Sequence, residues 1–234
     1  MPNQHIASAF DRDLEAVKAY LVRMGGLVEA ALSDATLALE TGDTALAEKV
    51  RLGDRAIDVL EEEINIECAR LIALRQPMGP DLRTALAVMK IAASLERCGD
   101  YAKNLGKRVQ AMTDMPKLPD AASGLRRMGR EVELLLKDAL DAFVSEDTAK
   151  AEDVRQRDRD VDQMYNASFR ELLTHMMEDP RNISVCMHLH FIAKNIERVG
   201  DHATAIAEQV IYLSTGAMPD DNRPKVDGIK GQGV

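Results

Sequence analysis

The sequence predicts an all-α protein built as two tandem three-helix bundles related by an internal pseudo-two-fold duplication. Three observations carry this. Apolar residues recur at helical spacing nearly everywhere, and strand-like alternation is scarce. Ala, Leu, Glu, Met, Asp and Arg dominate the chain, a composition of good helix formers, while aromatics make up only 3% and Trp is absent. Finally, the chain is written twice. Met24-Gly25, Val28-Glu29, Leu32 and Asp34-Ala35 return as Met128-Gly129, Val132-Glu133, Leu136 and Asp138-Ala139. Asp43-Thr44-Ala45 and Asp54-Arg55 with Asp58 return as Asp147-Thr148-Ala149 and Asp158-Arg159 with Asp162. Further on, at a slightly shorter offset, Glu96-Arg97-Cys98-Gly99-Asp100 returns as Glu197-Arg198-Val199-Gly200-Asp201. A repeat this long is two copies of one unit, so each feature can be checked against its twin.

The elements follow in order. A first helix is expected over roughly 8–40, stopping near Thr41-Gly42. A second enters through the N-cap residue Asp43 and runs over 44–75, ended by Gln76-Pro77-Met78-Gly79-Pro80. A third covers roughly 81–112. The prolines of Met115-Pro116-Lys117-Leu118-Pro119 then break the helical pattern and separate the halves. The fourth helix is expected over 120–144, the fifth over 148–178 up to Asp179-Pro180, and the sixth over 181–214. Long helices joined by short loops lie antiparallel to their neighbours. The resulting domains are 1–114 and 119–215, followed by a disordered tail at 216–234, where periodicity gives way to Gly, Pro, Asp and Lys.

Composition narrows the function classes. The net charge is −9, which argues against nucleic acid and for metal cations or basic protein surfaces as partners. No apolar run is long enough to span a bilayer, and no signal-peptide core opens the chain, so direct membrane insertion is not expected. Three isolated cysteines, Cys68, Cys98 and Cys186, fit a reducing cytoplasm better than a disulfide framework.

The repeated residues are mostly carboxylates. Asp54 and Asp58 are four apart, as are Glu96 and Asp100, Asp158 and Asp162, and Glu197 and Asp201, so each pair shares a helical face. The row Leu82, Leu86, Met89 and Ala93 runs into Glu96 and Asp100, which reads as a core-facing stripe continued by acids. With antiparallel packing, four carboxylates meet in one groove in each half. A hard divalent or trivalent cation would hold such a cluster together, because it takes oxygen ligands and brings its own charge. An all-oxygen set suits magnesium, calcium, manganese or ferric iron better than copper or zinc. The metal-free alternative is a structural network in which the repeated Arg55, Arg97, Arg159 and Arg198 pair with the acids. Gly99 and Gly200, inside their helices, suggest close helix approach or room for a ligand. Met24-Gly25 and Met128-Gly129 suggest tight helix crossings. His188 and His190 sit two apart, so they do not share a helical face and read as surface or partly packed residues, while His175 and His202 are single. The chain has no Gly-rich phosphate loop, no nucleophile elbow and no Cys-x-x-Cys pair, and it lacks the Glu-x-x-His motif of ferritin-like oxidases.

At four places the chain resembles the PhoU family of bacterial phosphate-signalling proteins. These are the opening His5-Ile6-Ala7-Ser8-Ala9-Phe10-Asp11, the Met-Gly helices, the Asp-x-x-x-Asp pairs, and the doubled Glu-Arg-x-Gly-Asp followed by Tyr101-Ala102 or His202-Ala203. The resemblance covers roughly 5–215. It implies tandem three-helix bundles with multinuclear metal sites on the surface groove of each, the metal being iron, manganese or magnesium. It further implies a cytoplasmic, non-enzymatic negative regulator that works with the phosphate ABC transporter, through its ATPase subunit, and with a sensor histidine kinase. Such a protein would be peripheral to the inner membrane through its partners, and a homodimer is expected. One departure from symmetry stands out: Asn104 extends the first acidic motif, and its twin is Ala205. Two other function classes stay open, a carboxylate-bridged helical metalloenzyme and a purely structural helical interaction module.

Overall fold

The computed structural model describes the backbone of residues 2–219 and the side chains of residues 10–219. Among these residues the fold is entirely helical: α1 (Pro2–Thr41), α2 (Thr44–Arg75), α3 (Pro80–Ala111), α4 (Pro119–Ser145), α5 (Thr148–Glu178) and α6 (Ile183–Thr215). The first helix begins earlier than the periodicity suggested. A single 3-10 turn, Pro180–Asn182, precedes α6, where the sequence suggested a continuous helix from 181. Its cause is Asp179, whose carboxylate accepts from the Arg181 backbone N–H at 2.9 Å and holds the turn. Residues 216–219 also carry defined structure. Gly216 closes α6 in the left-handed conformation (φ 77°), with its N–H donated to the Tyr212 carbonyl at 2.8 Å. The rest of the expected tail, 220–234, lies outside the described residues.

The duplication is visible in the caps. Asp43 accepts from the N–H groups of Ala45 and Leu46 at 2.9 Å each, and its twin Asp147 accepts from Ala149 and Lys150 at 2.9 and 3.0 Å. It is equally visible in the packing. Helices α1, α2 and α3 contact one another, as do α4, α5 and α6, and the halves meet through α3 against α6 and α1 against α4. One continuous apolar cluster runs through all six helices, from Val17, Met24 and Leu32 to Met128, Leu136, Ile196 and Val210. The two bundles therefore share a core rather than owning one each.

Glycines make the α1/α4 crossing close. A Cβ on Gly25 would stand 2.5 Å from Leu140 Cδ1, and one on Gly129 would stand 2.7 Å from Thr36 Cγ2. Gly25 and Gly129 are twins, and so are Thr36 and Leu140, so these two contacts are one contact seen from both repeats. The Met-Gly pairs thus do mark a tight crossing.

One sequence expectation needs correction. The row Leu82, Leu86, Met89, Ala93 faces the core only in part: Met89 packs against it, but Leu86 is 43% exposed and Ala93 is exposed. The buried row of α3 is Ala85, Val88, Ile91, Ala92, Leu95, Cys98 and Ala102. Both rows keep helical period, and α3 packs on α1, α2 and α6 at once, so its core face is wide and its rim also carries apolar residues. The acids that follow the rim row stand at the rim too.

Candidate functional site

The eight acids lie along two antiparallel seams, one between α2 and α3 and one between α5 and α6. In the first seam Asp54 is almost fully buried (5% exposed), while Asp58, Glu96 and Asp100 are half-buried. Burial pushes the Asp58 carboxyl up, and the neighbouring Asp54 and Asp100 charges push the same way. Glu96 is also raised, by burial first and then by Asp100, with smaller contributions from Asp58 and Glu61. In the second seam Asp158 is buried, Asp162 and Glu197 are half-buried, and Asp201 is exposed. Glu197 is raised by burial, and Asp201 and Asp162 add to this against the pull of Lys194. The acids of each set therefore feel one another across the seam.

The glycine of each Glu-Arg-x-Gly-Asp motif makes room for a side chain of the helix opposite. A Cβ on Gly200 would stand 2.9 Å from Asp158 Oδ1. Its twin on Gly99 would stand 2.9 Å from Ile57 Cδ1 and 3.6 Å from Asp54 Oδ1. Close approach is thus the role of both glycines, to the buried Asp158 carboxylate at Gly200 and to the Ile57 side chain at Gly99.

Two lysines that the repeat pattern did not reveal supply counter-charge. Lys103 donates to Asp54 and lies 3.3 Å from Asp100 Oδ1. In the second seam Lys194 donates to Glu197 Oε1 at 2.6 Å. The twin of Lys103 is Thr204, and the twin of Lys194 is Ala93, so these two lysines stand at non-equivalent places. Of Arg55, Arg97, Arg159 and Arg198, Arg97 contacts an acid among the described residues, Glu96, at 3.6 Å. Arg198 lies over the Tyr101 ring instead, at 5.8 Å. Asn104 does not extend the acidic row. It lines a separate cleft between α3 and α6 with His188 and His190, which are half-buried, within the expectation of surface or partly packed residues.

The donor chemistry fits a hard cation in part. Among the described residues no group of three or more His, Cys, Asp or Glu side chains converges on a common point that could hold an ion. The second seam nonetheless offers a buried carboxylate oxygen, Glu197 Oε2, with no hydrogen-bond partner. An unpaired buried carboxylate oxygen is costly and is the kind of group an ion satisfies. The first seam is closed by Lys103 and would have to release it.

Beyond the acids, α5 and α6 also carry exposed apolar residues. The Phe169 and His190 rings are 5.2 Å apart, and His190 is followed by Phe191. Leu173 and Met177 of α5 and Ile183 and Met187 of α6 are apolar as well. All six apolar residues are exposed, Met177 at 84%. Among the described residues no helix is long and apolar enough to cross a membrane.

Known proteins share this architecture. The PhoU domain family model matches twice, over residues 21–109 and 125–210. A curated protein of Caulobacter vibrioides, the phosphate-specific transport system accessory protein PhoU homolog, is 47% identical over 96% of this chain and 97% of its own length. The homolog of the same name from Rhizobium meliloti is 46% identical, covering 97% of this chain and 96% of its own. The crystal structure of PhoU from Pseudomonas aeruginosa superposes with a TM-score of 0.86 at 41% identity, over 89% of this chain and all of that one. The phosphate transport system regulatory protein PhoU of Streptococcus pneumoniae gives 0.82 at 31% identity, over 90% of this chain and 99% of its own.

Proposed function

This chain belongs to the PhoU family, and on that premise we propose that it is a non-enzymatic regulator restraining phosphate uptake and phosphate-starvation signalling. The relatives are named accessory or regulatory proteins of phosphate transport, which supports an adaptor rather than an enzyme. The adaptor would bridge the ATPase subunit of a phosphate ABC transporter and a sensor histidine kinase. It would act in the cytoplasm at the inner face of the membrane, held there by those proteins.

The observation that carries the docking role is the α5/α6 seam, where one end bears carboxylates and the other an exposed apolar strip. A partner helix with basic residues at one end and an apolar face at the other complements both parts. Metal on the seams is part of the proposal. In the second seam Glu197, Asp201, Asp162 and Asp158 would hold it, and in the first Asp54, Asp58, Glu96 and Asp100. The ion would supply positive charge that fixes the acids and the surface they present. Iron, manganese and magnesium suit such oxygen donors. Closure of the first seam by Lys103 favours one competing reading, a metal-free structural role for that seam.

Deleting the gene in a host without a second copy tests the regulatory role. Starvation-induced alkaline phosphatase is expected to rise in phosphate-rich medium. Activity held at the repressed wild-type level would contradict the proposal.

A further inference from the structure

The cleft between α3 and α6, on the boundary of the two repeats, is lined by cations in a chain of net charge −9. Lys107 and Arg108 come from α3, and Lys194 and Arg198 from α6, with His188 and His190 beside them. No carboxylate lines it. Among the described residues Lys107, Arg108 and Arg198 take part in no ion pair. Arg108 instead rests on the Phe191 ring at 4.2 Å, which leaves its edge N–H groups available. The Nδ1 atoms of His188 and His190 are buried and have no hydrogen-bond partner.

The other repeat serves as an internal control. At the corresponding positions of the other repeat, Lys107, Arg108, Lys194 and Asn104 become Glu208, Gln209, Ala93 and Ala205. Glu208 lies 3.5 Å from Arg155, so that position is acidic and paired. Only the Arg198/Arg97 pair is common to both sides. The scaffold therefore does not require the basic set, which belongs to one cleft alone. Lys107 and Arg108 lie near the C-terminus of α3, where the helix dipole favours cations. The dipole does not account for Lys194 and Arg198, which project from the middle of α6.

We propose that this α3/α6 cleft binds a small phosphoanion, inorganic phosphate or pyrophosphate, through Lys107, Arg108 and Arg198, with Asn104 and Asn195 as neutral donors. Guanidinium forks and an ammonium suit a multiply charged tetrahedral oxyanion, and the bound charge relieves the mutual repulsion of the unpaired cations. Burial holds both histidines below their ordinary pKa, with Arg108 acting on His188 and Lys194 on His190 in the same direction, and the charge of a bound anion would oppose that shift.

Isothermal titration of the full chain tests this. Metal is first removed with chelator, so that phosphate held by seam-bound ions does not contribute. Inorganic phosphate and pyrophosphate are titrated separately, with sulfate at matched ionic strength as control. Saturable binding of either phosphoanion, at least tenfold tighter than sulfate, is expected. The double substitution Lys107→Glu, Arg108→Gln installs the residues of the other repeat and should weaken that binding at least tenfold. Asn104→Ala, the milder exchange, should weaken it several-fold and serves if the double variant fails to fold. Lys90→Glu, on the opposite side of the axis, should leave it unchanged. Absence of saturable binding, equal binding of sulfate, or binding unmoved by the α3 exchanges in folded protein overturns the proposal.

Discussion

Tyr101 and His202 occupy the same place in the two repeats, and their rings face each other 5.8 Å apart. A residue that meets its own duplicate marks a local two-fold axis, which here passes between α3 and α6. The paired contacts Gly25–Leu140 and Gly129–Thr36 place the α1/α4 crossing on the same symmetry. The side chains diverge around this axis. The acidic seams are kept on both sides, while the basic cleft exists on one.

Close packing makes the helix glycines unequal. A Cβ on Gly106 would stand 2.7 Å from the Ala47 backbone oxygen, which has little freedom to move. Gly106→Ala is expected to destabilise the fold by about 1–3 kcal/mol. Gly26, also in a helix, has nothing within 4 Å of its added Cβ, and Gly26→Ala should stabilise by about 0.5–1 kcal/mol through helix propensity. Urea denaturation of the two variants checks the opposite signs.

The α1/α4 interface also sets a pH dependence. Glu133 lies 3.3 Å from Arg126, and burial, opposed by Arg126, holds its carboxyl above the ordinary carboxylate value. Ser33, Thr36 and Arg130 also act on it, and its charge in turn raises Glu29. Below a pH of about 4 the group is protonated in both folded and unfolded states, and its contribution to stability is fully present. That contribution is lost as pH rises through the folded pKa, where ionisation works against burial. Glu133→Gln should therefore raise the urea midpoint at neutral pH, with the gain shrinking towards pH 4. A gain that is constant or grows on acidification would show that burial is not the governing cause.

Much of this was legible because duplication checks itself. The capping aspartates Asp43 and Asp147, the tight Met-Gly crossings and the acidic pairs all appear twice, and local rules explain each of them. What stayed hidden was unrepeated or long-range. Lys103 and Lys194 serve the seams from non-equivalent positions, so a comparison of twins passes over them. Asn104 looked like a continuation of the acidic row, yet four residues per step drift around a 3.6-residue turn, and it emerges in the next cleft. Leu86 and Ala93 kept core periodicity at a rim because three neighbours surround α3. His188 and His190 carried no signal until α3 supplied Lys107 and Arg108 opposite them.

The apolar part of the α5/α6 seam is expected to act in docking rather than in folding. Leu173 and Met187 are each 40% exposed, so Leu173→Asp with Met187→Asp should change stability by no more than about 0.5 kcal/mol per site. The same change should abolish co-purification with the phosphate transporter ATPase subunit. Retained co-purification would move the docking face elsewhere.

The measurement closest to the central claim is metal retained by chelator-stripped protein after loading with manganese and gel filtration. Wild-type protein should retain metal. Glu197→Gln with Asp201→Asn should lose the share held by the second seam, and Lys103→Met should increase the share held by the first. No retention by wild-type protein, or a Glu197/Asp201 variant that retains as much as wild type, would contradict the assignment of the seams as metal sites.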